Sequence, residues 1–194
     1  GETIRDNVTV VVQGDRITAV IENTPFNPKP GLKIVSGKGK TLLPGLIDCH
    51  THPLRHVGLR QTLAFGVTTS LSMMNRPAFG REVMAAQAKG ELRDLADFYG
   101  AGDPVTPPGG HGTQFGIPIP TVSGVDKIPA FVAKRVADGA SFIKIIYEHG
   151  EPYGQAIPGL SEDELVAAVK AAQDNERLAV VHVSSLGEGL AAFR

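Results

Sequence analysis

The sequence predicts an α/β protein with a parallel β-sheet buried on both faces, preceded by a small segment that is mostly β. From residue 46 onward, short apolar strand patterns alternate with amphipathic helix patterns. The strand patterns are almost continuously apolar, as expected where helices cover both faces of a parallel sheet. Before residue 45 the chain instead has β-branched runs separated by glycine and proline turns.

The first 44 residues are predicted to form a small β domain. Residues 7–21 have the pattern of a hairpin, with β-branched runs on both sides of Gly14 and Asp15. Two further short strands are predicted at 33–35 and 40–43, with a glycine-rich turn between them.

Residues 45–194 are predicted to contain about five strand–helix units. The predicted strands cover 46–50, 67–73, 94–101, 141–147 and 178–183, and the predicted helices cover 57–65, 81–89, 126–138, 161–174 and 186 onward. The helix at 161 has a capping-box pattern of serine and glutamate. Residues 102–124 are rich in glycine and proline, and a loop of this length usually carries function.

Composition excludes several classes of protein. The 194 residues carry a net charge of −1, which gives no overall field to attract nucleic acid or an anionic membrane. No apolar run approaches the roughly 18 residues that span a bilayer, and the N-terminus lacks the pattern of a signal peptide. The single cysteine, Cys49, excludes an internal disulfide and favours a cytoplasmic protein. Because the chain does not begin with methionine, we expect it to be processed or partial.

The strongest local signal is a His-x-His pair after the first strand of the predicted sheet. Alternate residues of an extended chain share a face, so His50 and His52 are placed to bind one metal ion. The alternative is a pair of surface histidines on a loop. The preceding Pro-Gly and apolar strand favour the metal interpretation.

Two later strands each contain one polar residue in an apolar run. Lys144 lies within FIKII, where a buried charge costs several kcal/mol unless it is paired; the alternative is an ammonium group that reaches water at the strand end. His182 lies within LAVVHVSS, and alone it is more typical of a hydrogen-bonded core histidine. Together with the His-x-His pair, these residues place three ligand-capable groups at strand ends, where parallel α/β sheets build their sites.

The chain resembles the metal-dependent amidohydrolase superfamily, in particular its imidazolonepropionase-like and Xaa-Pro dipeptidase-like branch. The matching segments are PGLIDCHTH at 44–52, GVTT at 66–69, FIKI at 142–145 and VHVS at 181–184. The resemblance implies a small β-sandwich, of which 1–44 would be part, fused to a TIM-type (β/α)8 barrel. Residues 45–194 would be about five units of an incomplete barrel, and the chain would be an incomplete one.

The resemblance also implies roles for individual residues. His50 and His52 would bind the first of one or two divalent metal ions, most typically zinc. Lys144, as its carbamate, would bridge the metals, and His182 would bind the second. Tyr147 and His111 would be further catalytic residues: Tyr147 would face the site, and His111 would contact the substrate. The alternative for His111 is a solvated histidine on the long loop.

The resemblance implies an enzyme that cleaves C–N bonds with metal-activated water. The expected substrate is a small-molecule dipeptide, N-acyl amino acid or cyclic amide. The family also needs a histidine on the sixth barrel strand and an aspartate on the eighth, and no residue here corresponds to either. An alternative is therefore a non-catalytic fragment that forms a homo-oligomer or pairs with a complementing chain. A plain α/β binding domain with incidental histidines remains a third possibility.

Overall fold

The computed structural model describes residues 3–22 and 24–194 and divides the chain into two compact units. The first unit ends at Leu43 and the second begins at Pro44. This division is one residue from the predicted boundary, which follows residue 44. That the first unit is part of a β-sandwich and the second a hydrolase domain stays a prediction.

The first unit contains an antiparallel hairpin. Strand β1 (Val8–Gln13) pairs with β2 (Arg16–Glu22) through a tight turn, in which Gly14 has a φ of 63°. The hairpin predicted at 7–21 is confirmed. The strands predicted at 33–35 and 40–43 are wrong: both segments are exposed and irregular, because the described residues of this unit offer no neighbouring strand for them to pair with.

The second unit alternates strands with helices. Its elements are β3 (Leu46–Thr51), α1 (His56–Ala64), β4 (Val67–Ser72), α2 (Pro77–Ala88), β5 (Asp97–Gly100), α3 (Ile128–Ala137), β6 (Ile143–Ile146), α4 (Glu162–Asp174), β7 (Ala179–His182) and α5 (Leu186–Phe193). Strands β3, β4 and β5 form one parallel sheet, and β6 pairs in parallel with β7. The predicted α/β fold with parallel strands is therefore confirmed. Among the described helices, none has the length and apolar sequence needed to cross a membrane.

The capping box of α4 forms as predicted and also fastens the end of the long loop. The Ser161 hydroxyl accepts a hydrogen bond from the Glu164 amide at 3.2 Å, and the Glu164 carboxylate accepts one from the Ser161 amide at 2.8 Å. The second Glu164 oxygen accepts the Gly124 amide at 2.6 Å. Helix α2 begins four residues before the predicted start, because Pro77 suits the first turn of a helix.

Strand β6 lies in the main hydrophobic core, and all four of its residues are buried. Helices α3 and α4 supply most of the side chains that pack around it, and each fully buried aliphatic side chain contributes roughly 1.5–3 kcal/mol. The fully or almost fully buried members include Val105, Ile128, Val132, Ile143, Ile145, Leu160, Leu165 and Ala168. This packing fixes the strand that carries Lys144.

The expectation that every strand of the sheet is buried is wrong for β3. Its Leu46 and Ile47 side chains are 58% and 61% exposed. The strand lies at the edge of its sheet and pairs only with β4, and the described residues of this unit do not cover its faces. The residues at its C-terminal end are consequently open to solvent.

Candidate functional site

Three parallel strands of the second unit carry side chains that can bind a metal ion. His50 lies near the end of β3, Lys144 lies within β6, and His182 is the last residue of β7. Burial is the main cause that lowers the pKa of His50, and the charges of Lys144 and His182 lower it further. The structure therefore brings side chains from these three strands close enough to interact electrostatically.

The two histidines of the His-x-His pair are neighbours and both are exposed. Their ring centroids lie 5.4 Å apart. The His52 Nδ1 atom lies 3.4 Å from the carbonyl oxygen of Met74, which can only accept a hydrogen bond. This contact favours the tautomer with the proton on Nδ1, so the lone pair of His52 Nε2 is free to bind a metal ion.

Lys144 is buried without a counter-charge. It lies between Ile143 and Ile145 in the sequence of β6, and the residue is only 6% exposed. Within the part of the chain that the structure describes, its amine forms no ion pair or hydrogen bond. Burial lowers the pKa of Lys144, which increases the fraction of neutral amine.

Glu148 joins two histidines from separate segments. One of its carboxylate oxygens lies 2.8 Å from His111 Nδ1 and 3.1 Å from His182 Nε2. The Glu148 side chain is fully buried, and its other oxygen has no partner among the described residues. The two imidazole rings stack 4.7 Å apart at 22°. Burial and the charge of His111 lower the pKa of His182, and Glu148 opposes both effects.

His111 reaches this position because the long loop is fastened to β6. The Val105 amide donates to the Lys144 carbonyl oxygen at 2.8 Å, and the Ile146 amide donates to the Val105 carbonyl oxygen at 2.9 Å. Thr106 then donates its hydroxyl to the His111 carbonyl oxygen at 2.9 Å. The predicted loop at 102–124 thus packs beside the strand that carries Lys144, and its only described helical segment is a short 3-10 turn.

Glu188 fastens the two loops that follow β6 and β7. It is 7% exposed and accepts hydrogen bonds from the backbone amides of His149, Ser184 and Ser185 at 2.8, 2.9 and 3.0 Å, and from His149 Nδ1 at 3.2 Å. Burial acts to raise the pKa of Glu188, but these hydrogen bonds outweigh it and hold the pKa below its usual range. His149 therefore has a structural role, as expected.

The remaining candidates lie outside this group of side chains. Tyr147 is 7% exposed within the main core and contacts the His149 ring at a centroid distance of 4.9 Å. Burial raises the pKa of its hydroxyl. Its catalytic role stays a prediction. His56 is half-buried, and its Nε2 atom lies 3.4 Å from a Glu82 carboxylate oxygen.

An open cleft of about 370 Å³ lies beside His52. Its walls come from the loops that follow β3, β4 and β5, and one of them includes Met74, whose carbonyl oxygen contacts His52. The lining is mostly apolar: Leu54, Met74, Pro77, Ile117, Pro118, Ile119 and Pro120, with Asn75, Arg76 and Asp103 as polar members. Arg76 is exposed and forms no ion pair with any described residue, whereas Asp103 lies 3.6 Å from Arg135.

Comparison with known proteins finds relatives over part of the sequence and solved structures with the same fold. No protein-family model matches it. The imidazolonepropionase of Rubrobacter xylanophilus is 48% identical over 50 residues, which cover 23% of this chain and 12% of that protein. The crystal structure of a prolidase complexed with N-methylphosphonate-L-proline superposes with a TM-score of 0.76 at 24% identity, over 95% of this chain and 53% of that one. The chain is thus similar to imidazolonepropionases over part of its sequence, and to prolidases and an amidohydrolase in fold.

A further solved structure has the same fold as this chain. A Xaa-Pro dipeptidase with methionine bound in its active site superposes with a TM-score of 0.70 at 20% identity, over 95% of this chain and 54% of the other. The chain spans about half the length of these solved structures and about an eighth of the imidazolonepropionase. These relatives are hydrolytic enzymes of the superfamily.

The donor set of this chain fits a divalent metal ion. Neutral imidazole nitrogens are preferred ligands of zinc, and the contacts of His52 and His182 leave one ring nitrogen of each with a free lone pair. A second arrangement is also possible, because ligand atoms of His111, Glu148 and His182 lie within 4.8 Å of one another. Sequence reasoning missed Glu148. Glu148 follows β6, the strand that carries Lys144, by two residues, and this position at a strand end was the signal that could have marked it as a site residue.

Proposed function

We propose that the protein is a metal-dependent hydrolase that cleaves a C–N bond of a dipeptide, an N-acyl amino acid or a cyclic amide. The observation that carries this proposal is the buried Lys144 on β6, which has no ion-pair partner among the described residues and whose charge lowers the pKa of His50 from β3 and of His182 from β7. The relatives support the reaction class, because they are hydrolases that act on C–N bonds.

His50 and His52 would hold a first divalent metal ion, and His182 would hold a second, with zinc as the proposed metal. Lys144 would bridge them as its carbamate. A neutral lysine amine adds to carbon dioxide and loses a proton, and this step replaces a cation with an anionic oxygen ligand. The burial of Lys144 supports this modification, since an apolar strand stabilises the neutral amine.

A bound divalent metal ion supplies Lewis-acid chemistry, activating water and polarising the carbonyl of the scissile bond. The chain's own residues bind and orient the substrate. The apolar cleft beside His52 accommodates an acyl group or an amino-acid side chain, and the unpaired guanidinium of Arg76 attracts an anionic substituent. His111, which the long loop places next to His182, is positioned to contact the substrate.

We further infer that β3 to β7 and their helices are consecutive strand–helix units of a (β/α)8 barrel, and that the first unit is part of a β-sandwich. The alternative of a non-catalytic chain is not favoured by its relatives. Association with itself or with a complementing chain stays a proposal, supported by apolar side chains on and before α5 that are 71–92% exposed, namely Leu178, Leu186 and Phe193. Light scattering tests it, and a monodisperse monomer would count against it. The cytoplasmic location stays a prediction.

Hydrolysis by the whole protein tests the proposed function. Purified protein should release the amine from a panel of N-acyl amino acids and dipeptides, lose this activity with a chelator and regain it with zinc. His50→Ala should remove the activity, whereas His56→Ala, a nearby half-buried histidine, should leave it unchanged. Chelator-resistant hydrolysis by the His50→Ala variant would contradict the proposal.

A further inference from the structure

Glu148 has the burial and contacts of a residue that holds other side chains in place. It is 0% exposed, and one carboxylate oxygen contacts both His111 Nδ1 and His182 Nε2. A carboxylate buried this completely costs free energy unless it is hydrogen-bonded. The His182 Nε2–H supplies a hydrogen bond at 3.1 Å, and His111 Nδ1 lies 2.8 Å from the same oxygen. No other side chain contacts that oxygen in the described part of the chain.

We propose that Glu148 is a positioning residue, which sets the nitrogen that His182 presents to the metal and seats His111 beside it. This inference rests on the proposed metal-dependent function. Glu148 comes from the loop after β6, His182 from the end of β7 and His111 from the long loop, so one carboxylate connects three separate segments.

The contact with Glu148 assigns the tautomer of His182. An ionised carboxylate can only accept hydrogen bonds, so His182 Nε2 carries the proton and donates it at 3.1 Å. The Ser184 hydroxyl, 3.2 Å from the same nitrogen, can also accept from it. The lone pair therefore lies on His182 Nδ1, on the other edge of the ring. A carboxylate that accepts the second N–H of a metal-binding histidine fixes its orientation and increases its basicity.

The same carboxylate places the loop histidine. His111 Nδ1 lies 2.8 Å from the Glu148 carboxylate, and the His111 ring stacks on His182. The loop is paired with β6 through Val105, two residues after Asp103 and beside Lys144. Movement of Glu148 would therefore displace two residues together: His182, the candidate ligand at the end of β7, and His111 on the long loop.

Metal titration of the metal-free protein separates positioning from direct ligation. The variants are Glu148→Gln, Glu148→Ala and His111→Ala. Glu151→Gln is the matched control, because Glu151 is exposed on the same loop. Glutamine keeps one acceptor oxygen for the two imidazoles and puts its amide group where the unpartnered oxygen lies, so this variant is expected to fold. Isothermal titration with zinc gives the affinity and the number of bound ions.

We expect Glu148→Gln to bind the same number of zinc ions with roughly 10–100-fold lower affinity, and Glu148→Ala to bind more weakly still. His111→Ala and Glu151→Gln should keep both values. Unchanged affinity in Glu148→Gln would overturn the proposal. Loss of one bound ion in both Glu148→Gln and His111→Ala would also overturn it, because the three side chains would then be ligands themselves.

Nitrogen NMR of the metal-free protein at neutral pH gives a second readout that does not depend on metal. The wild-type His182 should be protonated at Nε2, and Glu148→Ala, which removes the acceptor oxygen, should populate both tautomers. A wild-type His182 protonated at Nδ1 would refute the positioning role. A wild-type protein with the expected tautomer but no bound zinc would instead refute the proposed function, which keeps the two failures distinguishable.

Discussion

Replacing Glu188 with glutamine should loosen the two loops that follow β6 and β7. Each carboxylate oxygen of Glu188 accepts two N–H groups: one accepts both from His149, and the other accepts the amides of Ser184 and Ser185. Glutamine retains one oxygen and turns an NH2 group toward the other pair of donors. The substitution therefore removes two hydrogen bonds to a charged acceptor with almost no change in shape.

The expected loss in the free energy of unfolding follows from these contacts. A hydrogen bond to a charged group contributes about 1.5–3 kcal/mol, so the loss of two predicts a fall of about 3 kcal/mol if the loops relax. With a urea dependence of about 1–3 kcal/mol per molar, the midpoint should fall by about 1 M or more. Glu91→Gln is the control, because Glu91 is exposed and should change stability by less than about 0.5 kcal/mol.

The pH dependence supplies a second check on the same variant. The folded-state pKa of Glu188 lies below its ordinary value, so the ionised carboxylate stabilises the fold above the unfolded-state pKa. That contribution is lost as pH falls through the lowered folded-state pKa. The difference in the free energy of unfolding between wild type and Glu188→Gln should therefore shrink over the same pH range. A midpoint shift no larger than that of Glu91→Gln, or a difference that persists into strong acid, would refute the reasoning.

Three further substitutions test other parts of the account. Lys144→Met should leave the melting temperature of the metal-free protein unchanged or raise it, since it removes a buried unpaired amine, and should lower zinc content measured by elemental analysis. Ser161→Ala should lower the free energy of unfolding by about 1 kcal/mol in urea titrations, because it removes the N-cap of α4. Arg76→Gln should raise KM for anionic substrates with kcat little changed, whereas Arg60→Gln, whose guanidinium is paired with Asp94, should change neither.

Local sequence patterns predicted those elements whose structure depends only on neighbouring residues in the chain. The hairpin turn at Gly14 and the capping box at Ser161 follow from neighbouring residues, and both are present. The strands at 33–35 and 40–43 needed a pairing partner, which local composition does not reveal, and they do not form. The exposure of β3 likewise depends on its place at the sheet edge.

For the candidate site, the sequence revealed residues whose chemistry conflicts with their surroundings. Lys144 and His182 are polar residues in apolar strands, and this conflict is visible without a structure. Glu148 lies in a loop rich in polar residues, and its position two residues after β6 is the one local signal that distinguishes it. Only the pairing of the long loop with β6 and of β6 with β7 brings Glu148 against His111 and His182, so its role depends on tertiary contacts.

The number of metal ions bound by wild type, His50→Ala and His56→Ala tests the central claim most directly. Each protein is stripped with a chelator, loaded with excess zinc, freed of unbound metal and analysed for zinc per chain. The account predicts bound zinc in wild type and in His56→Ala, and loss of bound zinc in His50→Ala. Equal zinc content in His50→Ala and wild type, or no zinc in wild type, would contradict it.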